Sequence, residues 1–220
     1  MGPQTFTFLS IILCAAHVYP LPVTCLLQGA LIKKVHDLLE NMGRNFPLEC
    51  LDHNVQLTFP ASAFKLNRTA QVNVGLEKAI HEVLRNIDIL FENDTMPHIW
   101  DQRKLDDFRN IVYRLVEESE CVLKKSQSIQ EDNFPDRKIV LDAYFKEISD
   151  VLRQKEFSAC AWEVARKEIL RMLGFILRHA SDHMFWTKRH ENSRLVADRC
   201  NCSPCTFFHN FSASVINMMT

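Results

Sequence analysis

Glycine and proline are scarce in this chain, with 5 Gly and 8 Pro among 220 residues. A turn-rich β-sandwich or barrel needs many tight turns, so the scarcity argues against that class and favours long helices. An excess of one charge is also missing: 26 Lys and Arg stand against 27 Asp and Glu, a formal net charge of −1. No overall field draws such a chain to nucleic acid or to an anionic membrane. The basic pairs Lys33-Lys34, Lys124-Lys125 and Lys188-Arg189 are short and scattered. Long apolar runs are missing too. Phe6–Ala16 has 11 residues, where a membrane-spanning helix needs about 20. Catalytic signatures are absent: there is no G-x-S-x-G, no Gly-rich phosphate loop and no H-E-x-x-H. Carboxylates are spread along helix faces, so neither an enzyme nor a resident cofactor or metal is expected.

What is present starts with Phe6–Ala16 itself. Its length and the small residues Ala15 and Ala16 suit the apolar region of a signal peptide, with cleavage expected within 16–24. The expected organisation is a signal peptide at 1–24, a helical domain at 25–180 and a C-terminal extension at 181–220. A secreted, extracellular protein follows, with no membrane insertion once the signal is removed. Four N-x-S/T acceptors agree with that route: Asn67, Asn93, Asn201 and Asn210.

The chain has 8 Cys, at positions 14, 25, 50, 121, 160, 200, 202 and 205. Cys14 lies in the expected signal, which leaves an odd number in an oxidising compartment. Spacing alone leaves the connectivity open. Bridges between the body cysteines would close loops of about 100 residues, worth about 4–5 kcal/mol each on chain-entropy grounds. Cys200, Cys202, Cys205 and His209 offer zinc-like spacing, and His179 and His183 stand four residues apart. Secreted thiols pair, however, so bridges within or between chains are the expected fate of the tail cysteines. The molecule is otherwise expected to be a monomer.

Apolar residues recur at a spacing of three to four in five stretches, about 28–42, 72–91, 100–124, 136–155 and 158–180. Asp101 is placed to cap the third, and Gly43 to end the first. A helix with one apolar stripe cannot stand alone, so five of them imply a bundle. The loop at 44–71 is long enough to cross the bundle's length.

Residues Cys160-Ala161-Trp162-Glu163-Val164-Ala165-Arg166-Lys167-Glu168-Ile169 are similar to the last-helix signature of type I interferons, C-A-W-E-V-x-R-x-E-I. Tyr144-Phe145, Lys155-Glu156-Phe157-Ser158, His81-Glu82 and Trp100-Asp101 match the family's pattern elsewhere. The resemblance covers about residues 25–180, with a kappa-like subtype expected. It implies a five-helix up-up-down-down cytokine bundle with a long first crossover loop and two disulfides, Cys25–Cys121 and Cys50–Cys160. It also implies a cytokine that engages a two-chain cell-surface receptor and triggers Janus-kinase signalling and antiviral gene expression. Another secreted four-helix cytokine or growth factor with different receptors is the alternative reading.

Carried over by position, one receptor chain is expected at Leu51, Lys167, Leu170 and Arg171. The last three fall at i, i+3 and i+4 and share a helix face. The second chain is expected at Glu82, Arg85 and Ile89, with Ile89 off the main apolar stripe. Two departures stand out: Asp142 and His53-Asn54 lie where the family often carries a basic residue. Charge changes at a rim alter on-rate and partner choice more than fold.

Overall fold

In a computed structural model of the chain, residues 25–43, 45–66, 73–92, 95–125 and 133–186 are described. They form five α-helices: α1 Gly29–Met42, α2 Val74–Phe91, α3 Gln102–Ser119, α4 Phe134–Gln154 and α5 Ala159–His179. Four short 3-10 segments, Leu48–His53, Ala61–Phe64, Glu120–Lys124 and Ser181–His183, shape the connections. The signal segment, Cys14, the acceptors Asn67, Asn93, Asn201 and Asn210, and Cys200, Cys202, Cys205 and His209 lie outside the described residues.

Local chemistry sets the helix ends. Asp101 caps α3, its carboxylate accepting from the backbone N–H of Arg103 at 3.1 Å and Lys104 at 3.2 Å. Ser158 caps α5 through Ala161 at 3.3 Å. The fourth helix begins at Phe134 rather than after Pro135, because proline's missing N–H costs nothing in a first turn. Gly43 ends α1, but not as the left-handed cap that its identity suggests: its φ is −104°. It is needed for space, since a Cβ there would lie 2.7 Å from the guanidinium carbon of Arg166. In the tight turn between α4 and α5, Glu156 and Phe157 take φ of 52° and 53°, a left-handed conformation costing about 1–2 kcal/mol per residue. The bond from Phe157 N–H to Leu152 O at 2.8 Å holds that turn.

The helices close into a ring in which α1 packs against α3 and α5, α2 against α3 and α4, and α4 against α5. The end of α1 meets the start of α3, where Asp101 N–H donates to Met42 O at 2.8 Å. His81 of α2 reaches Ser119 at the end of α3. Arg166 of α5 reaches Leu39 O near the end of α1. Thus α1 and α2 run one way and α3 and α5 the other, the up-up-down-down order, while α4 runs alongside α2 in the same direction.

The core draws on every helix. α1 contributes Ile32, Val35, Leu39 and Met42, and α4 contributes Leu141, Tyr144, Phe145, Ile148 and Leu152. Val140 is only half-buried, and the α4 stripe is centred on Leu141. The first half of α2 departs further from a one-sided stripe, because Val74–Leu84 is buried throughout. Its polar groups are therefore paired: Glu77 with Lys125 at 2.6 Å, His81 with Ser119 at 2.8 Å, and Lys78 over the Phe134 ring at 5.9 Å.

Two disulfides fasten the bundle, Cys25–Cys121 and Cys50–Cys160. The crossover loop is held further along by Arg137 of α4, which donates to Ala63 O and Lys65 O, each at 2.6 Å. The chain keeps packing past residue 180. Phe185 N–H donates to Leu27 O at 2.8 Å, Gly29 N–H donates to Phe185 O at 2.9 Å, and the Trp186 ring covers Gly29.

Candidate functional site

The signature helix α5 has two working sides. One faces inward. Trp162 is fully buried against Phe91 and Trp100, at ring-centroid distances of 5.5 Å and 6.1 Å. Glu163 accepts from the Trp100 indole N–H at 2.6 Å and from Arg166 at 2.7 Å. Arg166 in turn reaches the carbonyls of Leu39 and Glu40 at the end of α1, where a cation complements the helix dipole. The signature's buried charges thus knit α5 to α1 and to the start of α3.

The other side of α5 meets the crossover loop. Glu168 is buried and accepts from the Tyr144 hydroxyl at 2.7 Å. Burial, then the bond to Glu168, pushes the Tyr144 phenol well above its ordinary range. Lys167 lies 3.1 Å from one Glu168 oxygen and Arg171 3.4 Å from the other. From that base Lys167 donates to the Asn54 side chain and to Val55 O, and Arg171 donates to Leu57 O at 3.4 Å. The Arg171 guanidinium also lies 4.7 Å from the Phe59 ring centroid. Phe59 continues into a cluster with Phe64, Tyr144 and Phe175.

Of the residues expected in the first patch, Lys167, Leu170 and Arg171 share one side of α5, and Leu51 lies beside the bridge at that helix's first turn. The Cys50–Cys160 bridge ties the residue before Leu51 to the first turn of α5, and Leu51 itself is 54% exposed. Lys167 and Arg171 keep 35% and 50% of their side-chain exposure. Leu170 is half-buried against the core. Sequence reasoning missed the loop partners Asn54, Leu57 and Phe59, more than 100 residues away in the chain; no local signal marks them.

Elsewhere on the ring, α2 and α4 flank a groove of about 520 Å³ lined by Arg85, Ile89, Lys138, Asp142, Phe145 and Lys146 among others. Ile89 is 51% exposed and Arg85 is partly exposed. Glu82 departs from the expectation. It is 3% exposed and its carboxylate takes Arg85 and, at 2.6 Å, Lys138. Burial alone would raise that carboxyl, but the bonds from Arg85 and Lys138 outweigh it and hold it below its ordinary range. Glu82 therefore orients the groove's cations from beneath and offers no free contact. Asp142 is paired with Lys138 at 2.9 Å, so its negative charge sits beside a compensating cation.

No catalytic arrangement emerges among these groups. A Ser–His contact does occur, between Ser119 and His81, but both are buried and the Ser119 hydroxyl donates to Leu115 O at 2.6 Å. That leaves Ser119 as the acceptor from His81, the reverse of an activated nucleophile. His36, Asp37 and Glu40 come together on α1, with the Lys33 ammonium 2.6 Å from Asp37. The bond from Lys33 holds the Asp37 carboxyl below its ordinary range. No helix among the described residues is long and apolar enough to cross a membrane.

A disulfide-fastened helical bundle with a long first crossover, inward-facing signature charges and two separate surface patches defines a helical cytokine. The chain belongs to the interferon alpha/beta family, whose domain profile matches residues 27–182. It is similar to human interferon alpha-7, 29% identical over 143 residues that cover 63% of this chain and 73% of that protein. It is likewise similar to horse interferon alpha-1, 31% identical over 136 residues covering 61% and 73%. Among solved structures it is similar to zebrafish interferon 2, with 42% identity, a TM-score of 0.67, and coverage of 70% of this chain and 99% of that one. Family membership makes the chain a type I interferon-family cytokine; the family is one of cytokines and not of enzymes, and its members are secreted and bind interferon receptor chains.

Proposed function

We propose that the chain is secreted and joins two different receptor chains on separate faces of the bundle, which triggers Janus-kinase signalling and antiviral gene expression. One face is Leu51 with Lys167, Leu170 and Arg171. The other is the α2–α4 groove with Arg85 and Ile89. The observation that carries the reading is the first patch. Leu170, half-buried, shares one helix face with two cations, and the exposed Leu51 is tied to the first turn of the same helix by the Cys50–Cys160 bridge. An apolar anchor rimmed by charge is the usual form of an interface hot spot. In the ring, α4 lies between α2 and α5, which supports engagement of the α5 patch and of Arg85 and Ile89 on α2 by different chains.

The test is binding of the secreted protein to each soluble receptor ectodomain from the same species. Leu170→Ala and Arg171→Ala are expected to weaken one ectodomain at least about tenfold, or about 1.4 kcal/mol, and to leave the other unchanged. Ile89→Ala is expected to do the converse. Unchanged affinities with an intact helical spectrum would sink the assignment of the patches. Failure of the folded protein to induce antiviral genes in cells of its own species would sink the signalling role.

A further inference from the structure

Asn54–Pro60 has no helical or strand structure, yet it must link the Cys50 anchor to the Ala61–Phe64 turn. Backbone hydrogen bonds hold its ends, from Asn54 N–H to Leu51 O at 3.0 Å and from Ala61 N–H to Phe59 O at 2.9 Å, and side chains from elsewhere hold the stretch between. Two of them do so in register. Lys167 and Arg171, one helical turn apart on α5, meet the loop in order: Lys167 at Asn54 and Val55, Arg171 at Leu57 and the face of Phe59. Their own positions are fixed from behind. Glu168, 2% exposed, holds Lys167 with one oxygen and Arg171 with the other, and Tyr144 of α4 fixes that carboxylate. A buried anion thus aims two cations at neutral acceptors of the loop, and these are charge-assisted bonds.

We propose that Lys167 and Arg171 are positioning residues which latch the crossover loop onto α5 and thereby set how Leu51 is presented, a consequence that rests on the receptor-binding reading while the latch itself does not. The two cations serve the interface through the loop as well as through their exposed heads. A cation that only met a partner at the rim would act on association rate and salt dependence. A latch acts on the loop even when no partner is present.

Chymotrypsin reads the loop in the free protein, since the Leu57–Thr58 bond is its target there, Phe59 being shielded by Pro60. Lys167→Met and Arg171→Met are expected to speed cleavage there at least tenfold. Lys146→Met, which loses only a pairing with Asp150 on α4, leaves it unchanged, and Lys167→Arg restores slow cleavage. Circular dichroism confirms that each variant is folded. The second arm is a double-mutant cycle on the receptor ectodomain that the first patch binds. The loss caused by Lys167→Met is expected to shrink at least threefold when Leu51→Ala is already present. Unchanged cleavage in both Met variants overturns the latch, and faster cleavage with additive losses overturns its effect on Leu51. If the parent protein binds neither ectodomain, the receptor reading fails and cleavage alone decides the latch: faster cleavage upholds it, unchanged cleavage removes it.

Discussion

The indole N–H of Trp100 donates to the buried carboxylate of Glu163 at 2.6 Å, across 63 positions of sequence. Because Arg166 occupies the other oxygen at 2.7 Å and also reaches the end of α1, this one carboxylate ties three helices together. Removing it takes from Arg166, itself buried, the counter-charge that Glu163 supplies. Glu163→Ala is therefore expected to destabilise the fold by about 3–5 kcal/mol, and Glu163→Gln by about 1–3 kcal/mol. Urea unfolding followed by circular dichroism measures both. A loss under about 1 kcal/mol for the alanine variant would show that the cluster does not hold the bundle.

Gly43 exists to leave room for Arg166. A Cβ there would lie 2.7 Å from the guanidinium carbon and 2.8 Å from Nε, and the guanidinium cannot easily retreat from Glu163. Gly43→Ala is expected to cost about 1–3 kcal/mol, in the range of overpacking. Most of that cost is expected to vanish in an Arg166→Met background, which a double-mutant cycle on unfolding midpoints would show. An equal cost in both backgrounds would point instead to the backbone.

His81 makes the fold sensitive to mild acid. It is 1% exposed, and burial holds its imidazole below the ordinary value of 6.5, with Arg85 acting in the same direction and Glu82 and Glu120 against it. The folded state thus binds the proton less readily than the unfolded chain. Its contribution is complete above about pH 6.5 and is lost as pH falls below it toward the folded-state value, by at most about 1.4 kcal/mol per pH unit. Replacement by Gln, which can still donate to Ser119, is expected to flatten that part of the profile. Thermal unfolding of parent and His81→Gln between pH 7.5 and 5 checks it; parallel curves would count against the assignment.

The two disulfides close loops of similar length, with sequence separations of 96 and 110. On chain entropy each is worth about 4–5 kcal/mol. Their functional effects should differ. Replacing Cys50 and Cys160 by Ser frees the loop beside Leu51 and is expected to weaken binding at the first patch. Replacing Cys25 and Cys121 by Ser costs stability and leaves that patch in place. Ectodomain affinities measured on the folded fraction separate the two; equal losses of affinity would contradict the distinction.

Much of the fold was legible along the chain. The α3 cap at Asp101 and the five apolar periodicities depend on neighbours within a few residues, where spacing and side-chain type decide the outcome. Leu170 and Arg171 could be paired on one face for the same reason. Glu82 could not be read correctly, because its burial comes from Lys138 on another helix and from the central place of α2 in the ring. Gly43 could be read as the end of α1, but not for its reason, since the demand for space there comes from a side chain 123 positions on.

The amino-acid sequence by itself determined a helical chain, the family signature and the cysteines that staple the body, since periodicity, composition and motif order are properties of the linear chain. Only the tertiary structure decided which charges are partners and which are surface. It turned Glu163 and Arg166 inward, buried Glu82 beneath the α2–α4 groove, and set Lys167 and Arg171 against a loop distant in sequence. The physical reason is that a charged side chain's role depends on its solvent exposure and on what lies within hydrogen-bond reach, and both are fixed by packing between helices rather than by sequence neighbours.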